Sequence, residues 1–221
     1  MLNNYYHRTE INQRDNNEDN LDKSEFYVTG EPPITVLSVA DGMGGHEHGE
    51  DVSREGLLKF SLTLFGELKT VDRFPPLTSE KLKQALQNAM YQANSHVRRM
   101  VSSNKWSQAG STIVSAAIWR DRVMAVNLGD SPLFHYESHT GQLAKVTLDH
   151  SVAAILAQAG FMTEDMARDR RGQLEFFLGC DPTPDPLPVY ERVLKPGDVL
   201  LLCSDGVSGS LRLAQIQQIL A

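Results

Sequence analysis

Apolar residues recur along this chain with two different periods, and each period predicts a different secondary structure. Residues 34–40 form an unbroken apolar run rich in β-branched side chains, which predicts a buried strand ending at Asp41. Helical spacing then begins, and one face carries Leu58, Ser61, Leu62 and Phe65. A second, clearer helix is predicted after it, with Thr78 or Ser79 as the N-cap. Its core-packing stripe is Leu82, Ala85, Leu86, Ala89, Ala93, Val97 and Met100.

From Gly110 onward the pattern changes to short apolar runs separated by turn residues, which predict strands. Such short connections join antiparallel neighbours, and the last two strands are predicted to form a hairpin around 195–198. The predicted strands are 111–119, 123–128, 133–136, 142–148, 189–194 and 199–203, with short helices at 152–159 and 211–221. Helices grouped near the start and followed by antiparallel strands indicate an α+β fold and argue against doubly wound folds.

Composition narrows the class of protein. The 221-residue chain predicts one domain, and its net charge of −7 argues against nucleic-acid and anionic membrane partners, which need basic surfaces. Cys180 and Cys203 lie in or near apolar stretches, which predicts buried free thiols in a reducing compartment. The polar N-terminus does not resemble a secretory signal, and no apolar run approaches the ~20 residues of a membrane span. We therefore expect a soluble, cytoplasmic protein.

Carboxylates follow three of the predicted strands. The acidic strand ends are Asp41, Asp130 and Asp205. Asp beside Gly after a strand is also ordinary turn chemistry. Three such ends, together with Glu18-Asp19, suggest carboxylates gathered at one rim of a sheet. Two unit charges 4 Å apart repel by roughly 1 kcal/mol in water and about 4 kcal/mol at an effective dielectric of 20. Either some of these groups stay protonated or a hard cation such as Mg²⁺, Mn²⁺ or Ca²⁺ holds them together.

Other chemical motifs do not match when they are examined residue by residue. His46 and His48 lie in a polar loop. We interpret them as exposed loop residues in preference to substrate contacts or metal ligands. The segment 15–26 begins like an EF-hand loop, but its sixth residue is Asn20 instead of Gly and its twelfth is Phe26 instead of Glu. The chain also lacks a Gly-x-Ser-x-Gly elbow and a Walker lysine after a glycine loop.

Seven short motifs follow one another along the chain from Arg14 to about Ser210: Arg14-x-x-Asn17-Glu18-Asp19, Val39-Ala-Asp-Gly-Met-Gly-Gly45, Gly49-Glu50, Gly110-Ser-Thr112, Asn127-Leu-Gly-Asp-Ser131, Asp149-His-Ser151 and Leu202-Cys-Ser-Asp-Gly206. In this order they resemble the motifs of the metal-dependent type 2C protein serine/threonine phosphatases, and of their bacterial branch in particular. The resemblance implies one catalytic domain over 1–221 with a flap at 150–180. It also implies a four-layer α-β-β-α sandwich of two antiparallel sheets flanked by helices.

The resemblance further implies a mechanism in which a hydroxide bridging two metal ions attacks the phosphorus of phosphoserine or phosphothreonine. Arg14, Asp41 and Asp205 are the expected catalytic residues, and the planar fork of Arg14 suits a phosphate. The expected ions are Mn²⁺ or Mg²⁺, two in number, with a third and weaker one at Asp130 and Asp205. The residues expected at the metals are Glu18, Asp19, Asp41, the Gly42 carbonyl, Asp130 and Asp205.

Departures from the family pattern motivate alternatives. Pro132 stands where the family has Arg, and 175–179 lacks an expected Thr-Arg. The family closes with an Asp-Asn pair on a last strand; we find none after Asp205 and expect the chain to be short at its C-terminus. A catalytically impaired phosphatase-like binding module is therefore the alternative, and a nucleotide or sugar-phosphate phosphatase is a third. The expected partners of an active enzyme are phosphoproteins made by a Ser/Thr kinase, with the enzyme itself a monomer.

Overall fold

Two antiparallel β-sheets face each other in the computed structural model, which describes residues 4–11, 16–43, 48–71, 77–107, 109–163, 166 and 173–221. The strands are β1 (Asp19–Phe26), β2 (Ile34–Met43), β3 (Gly110–Ser111), β4 (Ile113–Trp119), β5 (Arg122–Leu128), β6 (Leu133–Glu137), β7 (Gln142–Lys145), β8 (Tyr190–Val193) and β9 (Val199–Leu202). The helices are α1 (Gly49–Val71), α2 (Ser79–Asn104), α3 (Val152–Gln158), α4 (Asp205–Ser208) and α5 (Leu213–Leu220).

The larger sheet has the strand order β1-β2-β4-β5-β8, and β3 pairs with the end of β2. The predicted strand at 34–40 is confirmed, and it continues through Asp41 to Met43. The strand β1 was not predicted, because as an edge strand it keeps the polar sequence DNLDKSEF and buries only Phe26 fully. In the β1–β2 register, Asp19 lies directly opposite Asp41.

The smaller sheet has the order β7-β6-β9, and it shows that two predicted neighbour relations are wrong. The connection 129–132 leads from β5 in the larger sheet to β6 in the smaller one. The connection 194–198 likewise joins β8 to β9 across sheets instead of closing a hairpin. Each turn contains a glycine with positive φ, Gly129 at 104° and Gly197 at 92°. A short connection can therefore lead the chain into a facing sheet as well as back along the same one.

Three apolar layers account for the stacking of these elements. The first lies between the larger sheet and the pair α1 and α2, and includes Phe60, Leu86 and Met124. The second fills the space between the two sheets, and the third lies between the smaller sheet and α5, where Ile216 is 3% exposed. This arrangement confirms the predicted α+β class and the α-β-β-α sandwich.

The two long helices use their faces differently. Thr78 caps α2, since its Oγ1 accepts from the Lys81 N–H at 3.2 Å, and the predicted stripe of α2 is in the core. On α1 the face marked by the helical spacing is the outer one, because Leu58, Leu62 and Phe65 are each at least half exposed. The core face of α1 consists of Val52, Leu57, Phe60, Leu64 and Leu68.

Among the helices of the described ranges, none is long and apolar enough to cross a membrane. Cys180 and Cys203 are both buried free thiols, as predicted. Burial raises the pKa of Cys203 to about 12, so that its thiol stays protonated at neutral pH.

Candidate active site

The acidic ends of three strands meet at one rim of the sandwich. Asp41 lies near the end of β2, and Asp19 begins the neighbouring edge strand opposite it. Asp130 is in the turn after β5, and Asp205 is the first residue of α4, directly after β9 and the Cys203-Ser204 connection. The predicted convergence of carboxylates is therefore present in the structure.

Asp41 is the centre of this cluster. Burial of its carboxyl and the negative charges of Asp19, Asp205 and Asp130 raise the pKa of Asp41 to about 8. A hydrogen bond with the Asp205 carboxyl adds to the same shift. Without a cation, Asp41 thus holds a proton at neutral pH, because its ionisation would add a fourth negative charge beside the other three carboxylates.

The chemistry of this donor set fits a hard divalent cation. All its side-chain donors are carboxylate oxygens, the ligands preferred by Mg²⁺ and Mn²⁺. A cation would remove the repulsion that protonates Asp41. Within the described part of the chain, however, no group of three or more His, Cys, Asp or Glu side chains is already arranged to hold a metal ion. This agrees with the hydrogen bond between Asp41 and Asp205, which brings their two carboxyl groups into direct contact.

Hydroxyl groups hold the backbone around Asp41 in place. The Asp41 N–H donates to Thr112 Oγ1 at 3.1 Å, and the Thr112 N–H donates to the Asp41 carbonyl at 2.8 Å. Ser111 Oγ donates to the same carbonyl at 3.0 Å. Thr112 Oγ1 also lies 2.6 Å from Ser131 Oγ, next to Asp130. The pair Ser111-Thr112 therefore connects β2 with the turn that carries Asp130.

Asp19 has its own support. Ser204 Oγ donates to Asp19 Oδ2 at 2.9 Å, although these residues lie 185 positions apart in the sequence. The hydroxyl orients the Asp19 carboxylate and also fixes the position of the residue before Asp205. Ser204 and Thr112 both belong to the sequence motifs, but their supporting roles were missed. The position of Ser204 directly before Asp205 is a local signal, whereas Thr112 has no neighbouring Asp in the sequence.

Glu18 and Gly42 lie where the end of β2 comes close to the start of α1. The Gly42 N–H donates to the Glu18 carbonyl at 3.1 Å, and Ser53 Oγ donates to the same carbonyl at 2.7 Å. A Cβ on Gly42 would collide with the Gly49 backbone, and a Cβ on Gly49 would lie 2.6 Å from Glu18 Cδ. The close approach of the Gly49 backbone therefore requires glycine at position 42, whereas a Cβ at position 49 would meet the Glu18 side chain.

Some predicted site residues fall outside what can be located. Arg14 and His46 lie outside the described residues. His48 is described, and its ring stacks on Trp106 with centroids 3.9 Å apart and an interplanar angle of 8°. The His48 side chain is one third exposed, and its Nδ1 lies 3.6 Å from Asp51 Oδ2. Its contacts are thus with the start of α1 and the end of α2.

Comparisons with known proteins agree with this fold. The family model described as protein phosphatase 2C matches residues 8–220. This chain belongs to the protein phosphatase 2C family.

Characterised relatives support the assignment. The chain is 29% identical over 210 residues to the serine/threonine phosphatase stp of Listeria monocytogenes serotype 4b, covering 94% of this chain and 78% of that protein. Among solved structures, the catalytic domain of the serine/threonine protein phosphatase PstP in complex with two manganese ions aligns with a TM-score of 0.70 at 25% identity. That alignment covers 93% of this chain and 78% of PstP. Stp1 from Staphylococcus aureus aligns with a TM-score of 0.73 at 25% identity, over 95% of this chain and 78% of that one.

Proposed function

We propose that this chain is a metal-dependent phosphatase that hydrolyses phosphoserine and phosphothreonine in proteins. The observation that carries the proposal is the convergence of Asp19, Asp130 and Asp205 on the partly buried Asp41, at the rim where strands of both sheets end. Membership of the protein phosphatase 2C family and the similarity to serine/threonine phosphatases support the same substrate class.

The proposed ligands follow from the donor set. Asp41 would bridge two ions, with the Gly42 carbonyl on one and Asp205 on the other. Glu18 and Asp19 would orient waters around them, and Asp130 would join Asp205 at a third, weaker ion. We propose Mn²⁺ or Mg²⁺ in these positions, and the two manganese ions of the PstP structure support that choice. When bound, divalent ions lower the pKa of water and stabilise the charge that develops on a phosphoryl group.

The residues of this chain would position the reactants. Asp41 must lose its proton before it can accept a cation on both oxygens, so cation binding and release of this proton are coupled. Ser111 and Thr112 keep the Asp41 backbone fixed during that exchange, and Ser204 keeps Asp19 oriented. Arg14 would bind the substrate phosphate through two oxygens, which its planar guanidinium allows.

The wider setting of the enzyme is part of the same proposal. Its substrates would be phosphoproteins made by a Ser/Thr kinase in the cytoplasm, where it would act as a monomer in signal transduction. We propose that the domain spans 1–221 and that the flap at 150–180 contacts the substrate. An impaired binding module would share the fold and bind phosphopeptides without turnover.

The test compares substitution of an aspartate that is a proposed metal ligand with substitution of an exposed aspartate away from the site. Asp205→Asn removes a proposed ligand, whereas Asp121→Asn changes an Asp whose side chain is 66% exposed, in the β4–β5 turn. Hydrolysis of an aryl phosphate and of a phosphothreonine peptide is measured with Mn²⁺ and with a chelator. We expect Mn²⁺-dependent turnover of both substrates by the wild type and by Asp121→Asn, and a loss of more than about tenfold in Asp205→Asn.

Three results would overturn the proposal. Peptide binding without turnover by the wild type in Mn²⁺ would identify the binding module. Turnover that persists in chelator would exclude metal dependence. Faster hydrolysis of nucleotides or sugar phosphates than of the phosphopeptide would move the substrate class to small metabolites.

A further inference from the structure

His150 lies between two segments that border the candidate active site. It is 8% exposed and is the first residue of the flap at 150–180. On one side it contacts the turn that carries Asp130, and on the other it contacts the strand-like segment at 173–178 by which the flap returns. No role was predicted for this residue from the sequence beyond its place in the Asp149-His-Ser151 motif.

The contacts with the Asp130 turn are reciprocal. The His150 N–H donates to the Gly129 carbonyl at 3.0 Å, and the Gly129 N–H donates to His150 Nδ1 at 3.4 Å. Nδ1 can accept only in the neutral ring with its proton on Nε2. Thr112 also packs closely against Gly129, because a Cβ on Gly129 would lie 2.7 Å from Thr112 Cβ. The path of the turn just before Asp130 is thus set by Thr112 and His150.

The contacts with the flap use the other groups of the same residue. The His150 carbonyl accepts from the Glu175 N–H at 2.8 Å, and the ring meets Phe176 edge-on with centroids 5.6 Å apart. Ser151 forms an isolated bridge with Leu174, and the Val152 N–H donates to the Gln173 carbonyl at 2.9 Å. The two ends of the flap are therefore joined at His150 and the residue after it.

We propose that His150 is a positioning residue that couples the location of the flap to the location of Asp130. A displacement of the flap base moves the His150 carbonyl, and the Nδ1 bond transmits that movement to Gly129 and Asp130. The reverse holds when a cation draws Asp130 inward. This inference rests on the proposed function, since the metal role of Asp130 and the substrate role of the flap are proposed there.

A residue that only filled space would not need the Nδ1 acceptor. An apolar ring of similar size would keep the contact with Phe176 but would leave the buried Gly129 N–H without this partner. Asn offers a carbonyl oxygen at the position of Nδ1, whereas Gln places its oxygen one bond further out. The variants His150→Asn, His150→Phe and His150→Gln therefore separate the acceptor from the bulk of the side chain.

The experiment measures hydrogen exchange and Mn²⁺ binding on the full chain. In His150→Phe and His150→Gln we expect about tenfold faster exchange in peptides that contain Gly129 and in peptides that contain Glu175, with α2 peptides unchanged. Calorimetry should show about tenfold weaker binding of Mn²⁺, the size of effect seen for residues that support a metal ligand. His150→Asn should stay within about threefold of the wild type in each measurement.

Three results would overturn the proposal: unchanged exchange at both segments in the two acceptor-deficient variants, faster exchange at only one segment, or equal impairment in His150→Asn. If His150→Phe fails to fold, His150→Gln and His150→Asn decide the matter between them. Hydrogen exchange needs no turnover, so a wild type without phosphatase activity would end the proposed function and still leave the coupling testable.

Discussion

The carboxyl groups of Asp41 and Asp198 are both shielded from solvent, and their surroundings are opposite in character. Asp41 has three other carboxylates around it, and burial together with their charges raises its pKa to about 8. The Asp198 side chain is 3% exposed, and burial alone would raise its pKa too. Hydrogen bonds from the Lys195 N–H, His135 and the Ser138 N–H outweigh that effect and lower the pKa of Asp198.

The contrast separates a carboxylate whose charge the protein itself stabilises from one whose charge it leaves uncompensated. Asp198 has a complete set of donors, with His135 Nε2 at 2.9 Å, and it holds the 195–198 turn against β6. Asp41 has hydroxyl support only for its backbone, while its carboxyl faces like charges. The negative charge of Asp198 is stabilised by hydrogen bonds from the protein itself. The carboxyl of Asp41 is stabilised only by a proton or a cation.

Neutralising Asp41 should have the largest effect and should separate activity from stability. Asp41→Asn keeps the shape of the side chain but removes an oxygen of the proposed metal ligand, so we expect phosphatase activity to fall by more than about a hundredfold. At neutral pH the metal-free protein should not lose stability, because Asn is neutral like the protonated carboxyl that Asp41 already presents there. Thermal melting in chelator and hydrolysis of an aryl phosphate in Mn²⁺ measure the two effects. A variant that retained a tenth of the activity would contradict the bridging role.

Removing Asp198 should give the opposite pattern. Asp198→Ala leaves the buried His135 and two backbone N–H groups without their acceptor, and we expect the free energy of unfolding to fall by about 3 kcal/mol. Below the melting temperature, kcat and KM should be unchanged. Urea unfolding measures the loss, and Lys195→Ala in the same turn is the control, with an expected cost below about 0.5 kcal/mol. Equal losses in the two variants would show that Asp198 is not the anchor of this turn.

The pH dependence of stability should reveal the raised pKa of Asp41. The unfolded chain ionises Asp41 near its ordinary value of 3.8, whereas the folded, metal-free chain keeps the proton up to a pKa of about 8. Within that window the folded state binds the extra proton, so stability falls as pH rises. Asp198, with its lowered pKa, contributes stability that is lost only as pH falls below its ordinary value of 3.8.

Urea unfolding in chelator between about pH 5 and pH 8 checks this slope. Saturating Mn²⁺ should remove the decline, because the cation replaces the proton on Asp41. Asp41→Asn should also flatten it. A decline of the same size in Asp41→Asn would assign the slope to other groups.

Loss of the Ser204 hydroxyl should give the smallest of these effects. Ser204→Ala removes the bond to Asp19 Oδ2, so we expect about tenfold weaker Mn²⁺ binding with little change in melting temperature. Titration calorimetry measures the affinity. Ser210→Ala, at an exposed position a few residues further on, should bind Mn²⁺ as the wild type does. Unchanged affinity in Ser204→Ala would remove Ser204 from the support of the site.

The parts of the fold that could be predicted are those decided by local pattern. The α2 stripe and its Thr78 cap follow from spacing and capping chemistry. The sheet assignments of β6 and β9 could not be predicted, since Phe134 pairs with Leu201 far along the chain. Local turn sequence does not record which distant strand is the partner. Edge strand β1 was missed for a related reason, because an edge strand with a solvated face has no need of apolar residues.

The candidate site shows the same division. Repeated acidic strand ends predicted that Asp41, Asp130 and Asp205 would gather, and the structure places them together. The supporting residues Thr112 and Ser204 are ordinary hydroxyl residues whose partners are known only once β3, β9 and β1 are assembled. Their roles depend on tertiary contacts and leave little trace in the local sequence.

The bond between Ser204 and Asp19 has a consequence for the time course of folding. Its two ends come from nearly opposite ends of the described chain, so the loop that it closes is among the longest there, and we expect it to close late in folding. Helices α1 and α2 can pack on the larger sheet before this happens. During refolding, the recovery of phosphatase activity would then report when this contact forms. It should lag behind the recovery of the helical circular dichroism signal.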